Sequence, residues 1–193
     1  MNEQSKINTA DDFSLLPYLT ADLRRTRILV RGVEDDVSDL RLWLGVLSPR
    51  FMPVLLCRLA HSLHRLRLGP LAKALTMLNF FLFGIEIAAR CPIGKGLFLP
   101  HTQGTVIGAW SIGDNVTIFQ GVTLGAKELD FSYQESSRPT VGNSVTIGAG
   151  AKVIGGIFLG MNSRIGANAV VLKDVVADSL VVGIPAKVVD GRL

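Results

Sequence analysis

The chain has 193 residues, 48% of them hydrophobic, with a formal net charge of +4 and two cysteines. That length holds one or two modest domains with enough apolar side chains for a sizeable core. The charge is too mild to mark a nucleic-acid partner, and two cysteines build no disulfide framework, so free thiols in a reducing, cytoplasmic setting are expected. The polar, acidic-leaning first fifteen residues contain no apolar signal segment.

Residues 1–13 read as a flexible tail and 14–84 as largely helical, together an N-terminal helical domain. Asp35, Asp36, Ser38 and Asp39 precede Leu40, Leu42, Trp43, Leu44 and Val46, a helix start. Ser48-Pro49 offers a second start, a capping serine followed by proline at the first helical position. Pro53 lies one turn further on, so the regular helix can begin there. Leu55, Leu59, Leu63 and Leu66 then form one apolar stripe. Gly69-Pro70 punctuates, and a further apolar helix runs from Leu71 to about Phe83.

Between Leu40 and Gly84 there is no Asp or Glu, against Arg41, Arg50, Arg58, Arg65, Arg67 and Lys73. Two readings stand for residues 40–84: a basic amphipathic pair lying on an anionic membrane surface, or the solvated faces of a helical cap used in oligomer contacts. The most apolar window, Leu75 to Ala89, is broken by Asn79 and Glu86, so no membrane-spanning helix is expected.

From Ile85 the pattern changes. Thirteen positions, almost all aliphatic, recur in three blocks at six-residue steps: Ile87, Ile93, Leu99, Thr105; Ile112, Ile118, Leu124; Val141, Ile147, Val153, Leu159, Ile165, Val171. Seven of them are followed directly by Gly. Neither a helix nor an isolated strand has this period; a solenoid does. A hexad is one flat face of a triangular coil, three hexads close a turn, and stacked turns line up the inward side chains as a core. The following glycine is expected to supply a corner conformation that other residues dislike. Two steps are irregular. Thr105 to Ile112 is seven, a one-residue bulge near Trp110, and Leu124 to Val141 is seventeen, so eleven residues are extruded from a corner. That loop, 126–139, carries Lys127, Glu128, Asp130, Tyr133, Glu135 and Arg138, and insertions in solenoids tend to serve function.

Few residues in the repeat bear chemistry. A zinc site needs three converging ligands, and one coil histidine with two thiols does not supply them. His101, in Leu99-Pro100-His101-Thr102-Gln103-Gly104, lies near a corner and can project toward a neighbour. Glu86 precedes it by fifteen residues, about one coil below and slightly around the corner. An acid beside a histidine fixes its tautomer and stabilises its imidazolium, and the apolar neighbours Ile85 and Ile87 argue against casual exposure of Glu86.

Ile85-Glu86-Ile87, Leu99-Pro100-His101, Val122-Thr123-Leu124-Gly125, Gly148-Ala149-Gly150-Ala151-Lys152, Ile165-Gly166-Ala167-Asn168-Ala169 and the closing Gly183-Ile184-Pro185-Ala186-Lys187 together resemble the serine acetyltransferase branch of the hexapeptide acyltransferases. Upstream, Arg58-Leu59-Ala60-His61 is similar to the end of that family's helical domain, so the resemblance covers about residues 50–190. It implies a mainly β chain: a left-handed parallel β-helix over 85–193 behind the helical domain. It implies a homotrimer with active sites between subunits, pairing of two trimers being left open, and acetyl-CoA as donor. By position His101 matches the catalytic base and Glu86 its acidic partner. The pantetheine groove would run along Gly125-Ala126, Ala149 and Ala167, with Arg164 and Lys187 near the nucleotide end. Small residues let a thin arm lie against backbone, and cations suit phosphates.

Three departures fall on the acceptor side. The family's Asp before the base is Pro100 here, its Arg-His-Pro reads Ser137-Arg138-Pro139, and the window from Leu40 to Pro53 holds no acid to meet a serine ammonium. Losing a buried charge partner costs several kcal/mol. The expected acceptor, contacted by Arg138 and Pro100, is therefore a hydroxyl of a sugar in a bacterial polysaccharide or its precursor. The alternatives are serine O-acetylation with rearranged contacts and a silent oligomeric scaffold.

Overall fold

The computed structural model describes residues 14–32 and 39–189. The expected tail over 1–13 and the helix-start residues Asp35, Asp36 and Ser38 lie outside the described residues.

Four helices come first: α1 (Leu15–Arg31), α2 (Asp39–Leu44), α3 (Met52–Arg65) and α4 (Gly69–Phe83), with a 3-10 turn at Gly45–Leu47. The Ser48 carbonyl accepts from the N–H groups of Phe51 (2.9 Å) and Met52 (3.0 Å). Ser48-Pro49 thus opens a turn, and the regular helix begins one turn later with Pro53 in its first turn, where a missing N–H costs nothing. The leucine stripe is not the buried face. Val54, Cys57, Arg58 and His61 are buried, while Leu66 is 68% exposed. Gly84, at φ 63°, ends α4 in the left-handed region and turns the chain into the repeat.

Thirteen short strands follow, from β1 (Ile85–Ile87) to β13 (Lys187–Val188). They stack as three faces of a coil. Face 1 is β1, β2 (Thr105–Ile107), β5 (Thr123–Gly125), β8 (Lys152–Ile154) and β11 (Val170–Val171); face 2 is β3 (Ser111–Ile112), β6 (Thr140–Val141) and β9 (Phe158–Leu159). Face 3 is β4 (Thr117–Ile118), β7 (Thr146–Ile147), β10 (Arg164–Ile165), β12 (Leu180–Val182) and β13. All pairings between coils are parallel; only β13 folds back antiparallel on β12 and closes the end. Inside, the hexad side chains from Ile118 to Leu159 are fully buried. Each such aliphatic contributes about 1.5–3 kcal/mol by leaving water.

The structure revises two details of the repeat. The residue level with Ile87 and Leu124 on face 1 is Ile107, not Thr105. The surplus length therefore does not sit near Trp110. On face 3 Phe98 lies beside Thr117, nineteen residues on, while on face 1 Val106 lies beside Thr123, seventeen on. The corner between them, Pro100–Thr102, holds two residues more than the corner above it. The sequence could not separate these registers, because Thr105 and Ile107 both point inward on one strand. Second, the glycines after the inward aliphatics are not the positive-φ residues; at the corners that role falls to Asn115, Ser144, Asn162, Asn168 and Asp178 and to Gly104, Gly121 and Gly150. The former are needed for closeness: a Cβ at Gly148 would lie 2.7 Å from the Ala167 nitrogen in the next coil.

The helical part is fastened to the edge between faces 2 and 3. Asp22 of α1 is fully buried and accepts from Arg58 Nε (2.9 Å) and Nη2 (3.1 Å) and from the Leu97 N–H (2.8 Å). Arg58 also donates to the carbonyls of Ile93 (2.5 Å) and Gly94 (2.6 Å). Arg25 donates to the Val116 carbonyl and Thr117 Oγ1.

His61 closes the other side, its Nδ1 2.8 Å from the Ala89 carbonyl. A carbonyl only accepts, so Nδ1 carries the proton. Burial holds this imidazole below its ordinary pKa of 6.5, against the opposing pull of the Ala89 carbonyl. The fold therefore binds neutral His61, whereas the unfolded chain takes up a proton near 6.5. Stability should fall as pH drops below that value, until the folded form protonates as well. Thermal unfolding followed across this range should show the decline in the parent and a shallower one in His61→Asn.

Candidate active site

The edge between faces 3 and 1 brings together part of the expected site. Here Gln103, Gln120, Ala149 and Ala167 stack in successive coils. The Gly121 N–H donates to the Gln103 carbonyl (3.0 Å), Gly150 to Gln120 (2.8 Å) and Asn168 to Ala149 (2.8 Å). At roughly 4.8 Å per coil, Ala149 lies two steps and Ala167 three above Gln103. His101, two residues before Gln103, occupies the enlarged corner at the foot of this ladder and is exposed. Half-buried Pro100 precedes it, and Thr102 anchors the corner by donating to the Phe83 carbonyl at 2.7 Å. Above this corner the edge carries half-buried Ala149 and exposed Ala167, each a single methyl group.

Glu86 is the middle residue of β1 and points outward from face 1. Contrary to the expectation of shelter, it is exposed in the chain. The reason is strand alternation: Ile85 and Ile87 turn inward, so Glu86 turns out. Among the described residues no hydrogen bond or ion pair joins it to His101. The two side chains stand on either side of one edge, unjoined.

The remaining expected residues divide. Arg164, exposed, opens β10 beside Leu180, and Lys187, exposed, lies in β13 beside Val182. Both belong to face 3 at the upper end of the coil. Gly125 and Ala126 lie on the other side of face 1, where the extruded loop leaves. Within one chain they share no edge with Ala149 and Ala167, so the single groove read from the sequence is split across a face.

Arg138 departs most from expectation. Its Nε donates to Asp130 Oδ2 (2.7 Å), Nη1 to the Gly108 carbonyl (2.8 Å) and Nη2 to the Asp130 carbonyl (3.0 Å). Its guanidinium lies 4.0 Å from the Tyr133 ring centroid. Asp130 in turn accepts from Ser132 Oγ and from the N–H groups of Tyr133 and Gln134. Burial alone would raise the Asp130 carboxyl; these hydrogen bonds outweigh it and hold it below its ordinary value. Tyr133 Oη donates to the Ala109 carbonyl at 2.6 Å. The Arg138 guanidinium is therefore a clasp that closes the loop rather than a free acceptor contact. In the sequence Asp130 and Tyr133 stand out only as loop content; their eight- and five-residue distances from Arg138 give no periodic signal. Arg138→Ala should free the loop tip, where Phe131 is 90% exposed, and limited chymotrypsin digestion should cut there sooner than in the parent at equal thermal stability.

Lys152, also not singled out from the sequence, sits on face 1 beside the His101 edge. Its Nζ donates to the Gly121 carbonyl (2.5 Å) and Thr123 Oγ1 (3.1 Å). The thiols are unsuited to covalent catalysis: both are buried, and burial pushes the Cys57 thiol up to about 11 and Cys91 higher still. No cluster of three metal-ligating side chains occurs among the described residues.

No family model matches the chain. A serine acetyltransferase of Helicobacter pylori strain J99 is 45% identical over 163 residues, 83% of this chain and 94% of that protein. Among solved structures, serine acetyltransferase of Neisseria gonorrhoeae superposes with a TM-score of 0.81 at 31% identity, over 95% of this chain and 69% of that one. A serine acetyltransferase in complex with CoA gives 0.75 at 30% identity, covering 91% and 70%. Soybean serine acetyltransferase complexed with serine gives 0.77 at 35% identity, again over 91% and 70%. The left-handed parallel β-helix with an N-terminal helical part, expected from the repeat and its resemblance, is the architecture these neighbours share with the chain.

Proposed function

This chain belongs to the serine acetyltransferase family, and from that membership we propose that L-serine is its acceptor. It is an acetyl-CoA-dependent O-acetyltransferase. The observation that carries the serine reading is the 45% identity to a relative of which 94% is covered. The polysaccharide acceptor expected from the sequence gains no support from these relatives. Its main warrant also weakens, because Arg138 is consumed by the loop clasp and its presence says little about the acceptor.

In this reading the acceptor hydroxyl lies between His101 and the thioester carbonyl. The imidazole takes the hydroxyl proton as the oxygen–carbon bond forms. The tetrahedral intermediate then collapses, the carbon–sulfur bond breaks, and the imidazolium returns its proton to the CoA thiolate. Glu86, offered from face 1, would stabilise the imidazolium once a second copy and the ligands shield the edge from water. The pantetheine arm would follow the Ala149–Ala167 edge toward Arg164 and Lys187. Gly125 and Ala126, on the far side of face 1, would serve the neighbouring seam.

That division of residues calls for contact between copies, and the family resemblance makes the working form a homotrimer. The apolar side chains exposed on α4, among them Met77, Phe80, Phe81 and Leu82, are assigned to contacts between copies. A membrane-surface helix needs a basic polar face, and α4 carries only Lys73. Two free thiols agree with a cytoplasmic setting.

Thiol release from acetyl-CoA, measured with L-serine and with a panel of sugars and oligosaccharides, tests the acceptor. Serine-dependent release with O-acetylserine as product is expected. Release with sugars but not with serine would refute the assignment.

A further inference from the structure

On face 2, away from the His101 edge, the C-terminal end of α3 and the clasped loop enclose a groove of about 1280 Å³. Its wall carries Trp110 and Tyr133, whose ring centroids are 6.2 Å apart. Its lining includes four arginines and His64, and from the helical side and the first coil come Arg65, Arg67 and Arg90. These three are exposed, and Arg90 lies 5.0 Å from the Tyr133 ring centroid. The acids in the lining are Glu135 and Asp174. Asp174 already accepts from the Phe158 N–H at 2.8 Å, and no ion pair joins either acid to Arg67 or Arg90 among the described residues.

We propose that this groove binds a nucleoside polyphosphate, its ring against Trp110 and its phosphates at Arg67 and Arg90. The charge decides the class. Two exposed guanidinium groups lining one groove, paired with neither of its acids, suit a group with more than one negative charge, and their planar forks match phosphate oxygens in pairs. Trp110 offers a flat partner for a ring on the same ligand, while the Tyr133 ring beside it carries the Arg90 and Arg138 guanidinium groups. The volume exceeds what a free phosphate or a single amino acid fills. The site is separate from the donor track, since face 2 and the edge between faces 3 and 1 are different surfaces of the coil. A ligand here touches α3 and the loop at once, so it would tie the helical part to the loop that Arg138 closes.

The test is direct binding of ATP to the intact protein, by calorimetry and by Trp110 emission in a Trp43→Phe background. Saturable binding is expected. Pyrophosphate should bind more weakly than ATP, lacking the ring. The pair Arg67→Glu and Arg90→Glu together should weaken ATP about ten- to hundredfold, with an unchanged melting temperature and an unchanged KM for acetyl-CoA. Absence of saturable binding, pyrophosphate binding as tightly as ATP, or indifference to the charge reversal would each overturn the proposal. None of these outcomes depends on whether serine is the acceptor.

Discussion

Replacing His101 by alanine should lower acetyl transfer by about 10²–10⁴-fold, the range a positioned general base contributes. Acetyl-CoA affinity should change little, because the stacked edge above the corner holds the donor in this account. The geometry supports the asymmetry. His101 lies on the corner with two surplus residues, and its ring makes no hydrogen bond within the described chain; its loss disturbs no packing. A Glu86→Gln variant should show a smaller loss in kcat, since Glu86 would act only on the imidazolium. Single-turnover rates with CoA binding measured in parallel separate the two effects. Equal loss of CoA affinity in His101→Ala would place the ring in the donor site instead.

The second large effect is on stability. Arg58→Met should destabilise the fold by about 3–5 kcal/mol, the cost of leaving a buried charge without its partner. Asp22 is fully buried, and burial already raises its carboxyl above the ordinary 3.8 in spite of the Arg58 guanidinium. Without Arg58 that shift must grow. A carboxyl whose folded pKa exceeds its unfolded value stabilises the fold below the unfolded pKa, and that contribution is lost as pH rises through the folded pKa. The variant's deficit should therefore be smallest near the ordinary value of 3.8 and grow toward neutrality. Denaturant titrations of parent and variant at several pH values measure it. A deficit that is constant with pH would mean that lost packing, not the stranded carboxylate, is responsible.

The fold was readable because a six-residue aliphatic period fits a triangular coil and neither a helix nor a lone strand; Ile118, Leu124 and Ile147 fall where the period puts them. What escaped the sequence is what a period cannot encode. Thr105 and Ile107 both point inward on one strand, so counting hexads does not say which is level with Leu124 or which corner holds the surplus residues. The hydrophobic neighbours of Glu86 suggest shelter, whereas alternation turns it the other way. Leu66 looked like part of a buried stripe, but α3 ends there and leaves it in solvent. Ala149 and Ala167 share an edge with His101, whereas Gly125-Ala126 lie across a face. The order of small residues along the chain carries no information about which edge each occupies. Asp130, Tyr133 and Arg138 form a clasp inside an aperiodic loop, and only coordinates relate them.

The central claim is that the edge between faces 3 and 1, from His101 up past Ala149 and Ala167, is where acetyl transfer occurs. A crystal structure of the protein with CoA tests it most directly. The account predicts the CoA sulfur beside the His101 imidazole at a seam between two copies, with the pantetheine arm running past Ala149 and Ala167. A sulfur lodged on face 2, or on any edge remote from His101, would contradict it.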